Sequence, residues 1–272
     1  MFCVGPGTHD PQATSLLPTA DTPSELDSLR KYPRLRLFNV KYSPNLGDGL
    51  LSECLEQALV DLGAHPDTQS IDLAARSSFG TASRSRSAQM RLLEALPAKV
   101  RQLAVRVPLA VETRRRWRPH YRASLVETDA MVIGGGNLLA DIDLNFPTKI
   151  AIAIQEAALR QIPVYIYGCG VSRHWSRRGQ DLLRSALDLG MVKRVFVRDE
   201  PSRLAWNNVF GAGSGLPAQI VRDPGLLAME RYRIACRPAT DRRPMIGLNV
   251  TSQLALRYHG ADVLSRDQMD AW

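Results

Sequence analysis

The chain has 272 residues, 44% of them hydrophobic, and a formal net charge of +8, which is room for one large α/β domain or two modest ones. Its longest apolar stretches, such as Ile150–Ile154, are broken by charge within a few residues, and no basic segment precedes an apolar one at the N-terminus, which argues against a membrane span and a secretory signal. The four cysteines (Cys3, Cys54, Cys169, Cys236) show no CxxC spacing and read as thiols of a reducing, cytoplasmic compartment, not as a disulfide framework or a metal set.

Residues 1–33 are rich in Pro, Thr, Ser, Asp and Gly without periodicity and read as a leader outside the fold. Order is expected from Arg34. Leu35, Leu37, Phe38 and Val40 form a strand leading into YSPNLGDG, and Leu50, Leu51, Cys54, Leu55, Ala58, Leu59 and Leu62 recur at helical spacing until Gly63 closes the helix. The stretch 70–122 is the least legible, with a helix expected over 89–103. Then AMVIGGG (130–136) reads as a buried parallel strand that stops at three glycines. Bare backbone there lets a ligand approach, and the N-terminus of the helix that follows, expected over 148–160, favours an anion. A second buried strand, PVYIY (163–167), ends in Gly168-Cys169-Gly170. A helix over 179–189 and a short strand 195–197 lead to Arg198-Asp199-Glu200, with Pro201 in the first turn of the next helix. A Gly-rich turn (211–215), a segment 219–221 and the loop Arg222-Asp223-Pro224 precede a last strand, MIGLNV (245–250). Alternating strands and helices predict a doubly wound parallel sheet, with any ligand at the carboxyl ends of its strands.

Charge is uneven along this order. Between Arg76 and Arg122 there are twelve basic residues and two acids, a surplus of ten that leaves the rest of the chain at about −2. The segment peaks at Arg114-Arg115-Arg116-Trp117-Arg118. Such a stripe fits a solvated helical face, an anionic membrane surface or a lipid-linked acidic saccharide. It has no interleaved aromatics and no recognition motif, so nucleic acid is disfavoured.

Several residues are candidates for chemistry. Asn45, Gly47 and Asp48 sit between a strand and a helix, where Asp48 either caps the helix or meets substrate hydroxyls; at a helix N-terminus its ionised form should be favoured, as suits a base. Gly135, Gly136 and Asn137, and Gly168, Gly170 and Ser172, mark two turns at strand ends that read as a ligand crevice or as plain turns. Neither is a GxGxxG, since position 139 is Leu and position 173 is Arg, and no GxxxxGK[ST] exists, so nicotinamide and P-loop chemistry are disfavoured. Arg198 can grip a phosphate or carboxylate, with Asp199 either orienting it or capping the next helix. The histidines His9, His65, His120, His174 and His259 have no metal-ligand spacing, although His174 follows a glycine turn, and no GxSxG nucleophile is present.

Taken in order, NLGDGLLSECLEQAL (45–59), DAMVIGGGNLL (129–139), PVYIYGCGVS (163–172), VKRVFVRDEPSRLAW (192–206), VRDPGLL (221–227) and IGLNVT (246–251) resemble the polysaccharide pyruvyl transferase family. The resemblance implies a GT-B-like fold of two Rossmann-type halves. It also implies transfer of a pyruvyl group from phosphoenolpyruvate to a sugar or lipid-linked oligosaccharide in exopolysaccharide or cell-envelope glycan synthesis, with no metal or other cofactor. On that resemblance Asp48 and Arg198 are the expected catalytic residues. Asn45, Gly47, Gly135, Gly136, Asn137, Gly168, Gly170, Ser172 and Asp199 are the expected substrate contacts. The expected organisation is a leader (1–33), a Rossmann-like N-terminal domain (34–240) and the start of a truncated second half (241–272), because the family's second half, with its catalytic histidine, follows the IGLNVT strand. His259, in Arg257-Tyr258-His259, echoes that half but comes too early to take the role, and a truncated chain would be inactive alone. The expected location is the cytoplasm, with the Arg-rich 76–122 segment able to touch the inner face of the membrane. Two other readings stand beside this one: a nucleotide-sugar glycosyltransferase of the same architecture, and a non-catalytic half-domain that binds glycan or a partner.

Overall fold

The computed structural model describes residues 32–80, 106–141 and 143–234, together with Ile246. The leader up to residue 31, the helix expected over 89–103 and nearly all of the segment 241–272, including His259 and all but Ile246 of the strand 245–250, lie outside the described residues.

Six parallel strands form one sheet in the order β2-β1-β3-β4-β5-β6. They are β1 (Leu35–Asn39), β2 (Gln69–Asp72), β3 (Ala130–Gly134), β4 (Val164–Cys169), β5 (Val192–Val197) and β6 (Ala218–Ile220). The helices are α1 (Leu46–Asp61), α2 (Arg106–Glu112), α3 (Arg118–Ser124), α4 (Asn145–Ala158), α5 (Arg177–Leu187), α6 (Glu200–Trp206), α7 (Ala212–Ser214) and α8 (Ala228–Arg231). A π-helical turn, Thr113–Trp117, joins α2 to α3, and another, Asn207–Gly211, joins α6 to α7.

Strand alternation sorts side chains to two faces. Leu37 and Val132 meet Leu55 of α1 on one face, while Phe38, Met131 and Ile133 join Ile150, Ile154 and Leu183 of α4 and α5 in the larger core on the other. With helices on both faces, the sheet is doubly wound, as the alternating pattern predicts. Strand β1 sits between β2 and β3, so the chain leaves it in one direction and resumes on its other side. The strand order therefore reverses between β1 and β3, and open sheets of this kind bind ligands in the crevice at that point.

Several local expectations change. Strand β2 and helices α2 and α3 lie largely within the 70–122 stretch, where the sequence carries no clear period. The Gly-rich turn over 211–215 is mostly helical, with only Gly215 in the left-handed region (φ +68). Helix α4 begins at Asn145, nine residues after Gly136 at the end of the glycine turn, and α5 begins after Ser176, so neither glycine turn opens directly onto a helix N-terminus. The intervening segments instead prolong the β3–β4 pairing through a bridge between Leu139 and Val171.

Candidate functional site

The β1–β3 crevice is walled by the first turn of α1 and the glycine turn after β3. Asn45, not Asp48, caps α1: its side-chain oxygen accepts the Gly47 N–H at 3.2 Å. Asn45 and Gly47 are exposed at the rim. Asp48 lies one turn deeper and accepts a hydrogen bond from the Ser43 hydroxyl. Burial pushes its carboxyl above the ordinary value of 3.8, against the opposing pull of Ser43 and of Arg76. Desolvation thus outweighs the helix-terminus effect expected from sequence, and Asp48 holds its proton more firmly than a surface aspartate.

Facing it, Gly135 and Gly136 adopt φ +81 and +70, a conformation that side chains resist. A Cβ on Gly136 would stand 3.2 Å from Asp48 Oδ1, so the bare glycine is what lets the carboxylate lie against this backbone. Two of the turn N–H groups are already spent within the sheet ends. Gly135 N donates to the Tyr167 carbonyl at 3.2 Å and Gly170 N to the Gly136 carbonyl at 2.8 Å.

The polar side chains gather over Gly170. A Cβ there would be 2.6 Å from Asn137 Oδ1 and 2.9 Å from Arg198 Nη2, so this glycine leaves the space in which the amide and the guanidinium meet. Arg198, at the end of β5, is one-third exposed. Its Nε donates to Asp199 at 3.3 Å, and its Nη1 lies 3.8 Å from Asp223. Asp199 also caps α6 by accepting the Ser202 N–H at 2.8 Å. Burial pushes the Asp199 carboxyl up, but the Ser202 hydrogen bonds and Arg198 hold it below the usual range. Asp199 therefore both caps the helix and orients the arginine, the two roles the sequence left open.

Other expected contacts fall at the margin. The space over Gly168 (φ +63) is taken by Pro224, whose Cδ would be 3.0 Å from a Cβ at that position. Ser172 is engaged through its backbone, donating its N–H to Leu139 and accepting the Trp175 indole N–H at 2.9 Å. Cys169, between the glycines, is fully buried. Burial pushes its thiol up to about 12, so it is no nucleophile at neutral pH. Among the described residues, no three His, Cys, Asp or Glu side chains gather as a cation-binding set.

Sequence reading missed Ser43 and Asp223. The second lies in the VRDPGLL segment already singled out, and an aspartate opening a loop beside a strand-end arginine is the signal that points to it. In the Arg-rich segment, Arg118 and Arg122 are bound to the buried Glu156 at 3.0 and 3.2 Å, and Arg116 donates to the Ala75 carbonyl at 3.1 Å. Arg114 and Arg115 are exposed. No described helix is long and apolar enough to cross a membrane.

A family model described as Polysaccharide pyruvyl transferase matches residues 45–272, most of the chain. No curated protein and no solved structure matches it.

Proposed function

The chain belongs to the polysaccharide pyruvyl transferase family, and from that premise we propose that it transfers the pyruvyl group of phosphoenolpyruvate to a hydroxyl of a sugar or lipid-linked oligosaccharide at the β1–β3 crevice. The observation that carries the reading is the meeting of Arg198 and Asn137 over Gly170, on the same pair of strand-end turns that holds Asp48 against Gly136.

Phosphoenolpyruvate carries a phosphate and a carboxylate, and Arg198 offers a planar fork for one of them. Asp199 and Asp223 hold that fork in place and partly neutralise it, so the donor anion competes with Asp223 for Nη1. In its protonated form, which burial favours, Asp48 donates a proton to the methylene carbon of the enol and leaves the adjacent carbon electron-poor. A sugar hydroxyl attacks that carbon, and its proton passes to the Asp48 carboxylate. Phosphate then departs with its bonding electrons and takes up the proton of a second hydroxyl of the same sugar, whose oxygen closes the cyclic ketal. Asn45 and Asn137 position the acceptor, and the product is a glycan of the cell-envelope or exopolysaccharide type. The exposed Arg114 and Arg115 offer contact with an anionic membrane face if the acceptor is lipid-linked.

The test is phosphate release from phosphoenolpyruvate with methyl glycosides as acceptors, alongside calorimetric binding of phosphoenolpyruvate alone. The expected result is saturable donor binding to the native chain and its loss in Arg198→Ala. Donor binding unchanged in that variant removes Arg198 from the site, and turnover of a nucleotide-sugar in place of phosphoenolpyruvate overturns the reaction assignment.

A further inference from the structure

The segments that follow the glycine turns of β3 and β4 flank a half-open cavity of about 470 Å³, lined by Asp141, Asp143, Arg173, His174, Trp175 and Gln180 among others. That volume lies within the range of small-molecule sites. None of these residues takes part in the crevice described above.

The cavity wall is built, not incidental. Asp141 accepts hydrogen bonds from the Ser176 N–H at 2.8 Å, from the Ser176 hydroxyl and from the Leu144 N–H at 3.1 Å, so one carboxylate ties the loop before α4 to the loop before α5. It can do so only because position 179 is glycine: a Cβ there would fall 2.3 Å from Asp141 Oδ2. Two consecutive non-glycine residues on the rim, Asp143 (φ +50) and Leu144 (φ +62), are held in the left-handed region, a strain the surrounding structure must sustain. Trp175 is fixed edge-on against Phe210, with ring centroids 4.8 Å apart, and its N–H is used by Ser172. The indole is therefore pre-oriented before any ligand arrives.

The lining chemistry is specific in kind. Carboxylates accept from hydroxyls and a guanidinium donates to them, while the Gln180 amide, one N–H of which goes to the Trp175 carbonyl at 3.3 Å, keeps a second to donate. An indole offers a flat apolar surface of the sort that covers the C–H face of a pyranose. Two carboxylates against a single guanidinium leave the cavity unsuited to a phosphate or a uronate. We infer that this cavity is a subsite for a neutral sugar ring of the acceptor, one residue removed from the ring that reacts in the crevice. Its identity as an acceptor subsite rests on the pyruvyl-transfer reading; the binding of a neutral sugar does not. Remote binding of this type contributes to holding the reacting hydroxyls in place.

Calorimetric titration of the full chain with the methyl glycosides of glucose, galactose and mannose tests it, with methyl glucuronide as the anionic comparison. At least one neutral glycoside is expected to bind in the millimolar range, with the glucuronide at least about tenfold weaker. Gln180→Ala and Asp143→Asn should each weaken the neutral glycoside by about tenfold. Asparagine tolerates the left-handed conformation of position 143, so this variant keeps the fold. Arg198→Ala should leave glycoside binding in place while losing phosphoenolpyruvate. Three results overturn the inference: no saturable glycoside binding to the native chain, unchanged binding in both cavity variants, or tighter binding of the glucuronide. If the glycoside binds as expected and phosphoenolpyruvate does not bind the native chain, the cavity stands and the pyruvyl-transfer reading fails.

Discussion

Two carboxylates, one wholly and one partly buried, lie at opposite ends of the sheet and are treated in opposite ways. Glu156 is near the end of α4, at the amino ends of the strands. It is wholly buried and met by Arg118, Arg122 and Arg160 at 3.0, 3.2 and 3.4 Å. Burial alone would push its carboxyl up, but the Arg122 hydrogen bond and the other two guanidiniums hold it below the ordinary 4.5. Asp48, at the carboxyl ends, has one hydroxyl partner, and burial raises it. A fully balanced charge is a fastening. An underbalanced one is held at some cost to the fold and is available for chemistry.

The largest effect should come from the fastening. Glu156→Gln leaves three guanidiniums without their anion and is expected to cost about 3 kcal/mol, the low end for breaking a buried pair because the arginines can rehydrate. Denaturant unfolding measures it, and transfer activity per folded molecule should not change. Its pH signature is equally specific. A carboxyl lowered on folding stabilises above its unfolded value and loses that contribution as pH falls through the folded value. The native chain should therefore lose stability below about pH 4.5 more steeply than the variant.

At the other end the effects should fall on turnover. Arg198→Lys keeps the charge but not the fork, and about 10- to 100-fold should be lost from kcat/KM for phosphoenolpyruvate with little change in Tm. Gly170→Ala places a methyl group where Asn137 and Arg198 meet and should cost about tenfold in the same assay. Equal loss of stability in these two variants would erase the distinction between the two ends.

The smallest effect has the opposite sign. Ionising Asp48 in the fold is unfavourable, so Asp48→Asn should raise Tm at pH 7 by no more than about 3 °C while abolishing transfer. Because its carboxyl is raised on folding, the destabilisation it causes sets in as pH rises from 3.8 through the folded value. The gain from the substitution should therefore vanish below pH 3.8. A lower Tm for the variant at pH 7 would mean that Asp48 is also a fastening.

Much of this architecture is written locally in the chain. AMVIGGG is buried on both faces, and PVYIYGCG is buried on one with Tyr165 and Tyr167 half-buried on the other; both are apolar without interruption, which makes β3 and β4 legible. Strand β2 is not: QSID is a polar edge strand whose Asp72 is spent on the Tyr42, Ala74 and Arg76 N–H groups. Helices α2 and α3 carry Pro108 and Pro119 and a π-helical turn, which blur a 3.6-residue period. Asp48 and Arg198 stand out because each follows a strand end. Their surroundings do not, because the burial that raises Asp48 and the Pro224 that covers Gly168 come from distant parts of the chain. The second cavity is hidden for the same reason. Only the density of polar residues in DIDLN and SRHWS, between a glycine turn and a helix, hints at it.

The strand order also sets an order of assembly. Strands β3 to β6 pair with their neighbours in sequence, whereas β1 reaches β3 only by closing a long loop, fastened by the Arg34 N–H on the Asp129 carboxylate 95 residues away. Contacts of such separation form late and open early. The amide protons of β3, β4 and β5 should therefore exchange with solvent most slowly, and those of β1 and β2 first. The crevice shares one wall with each group, so it is complete only once the last two strands have docked.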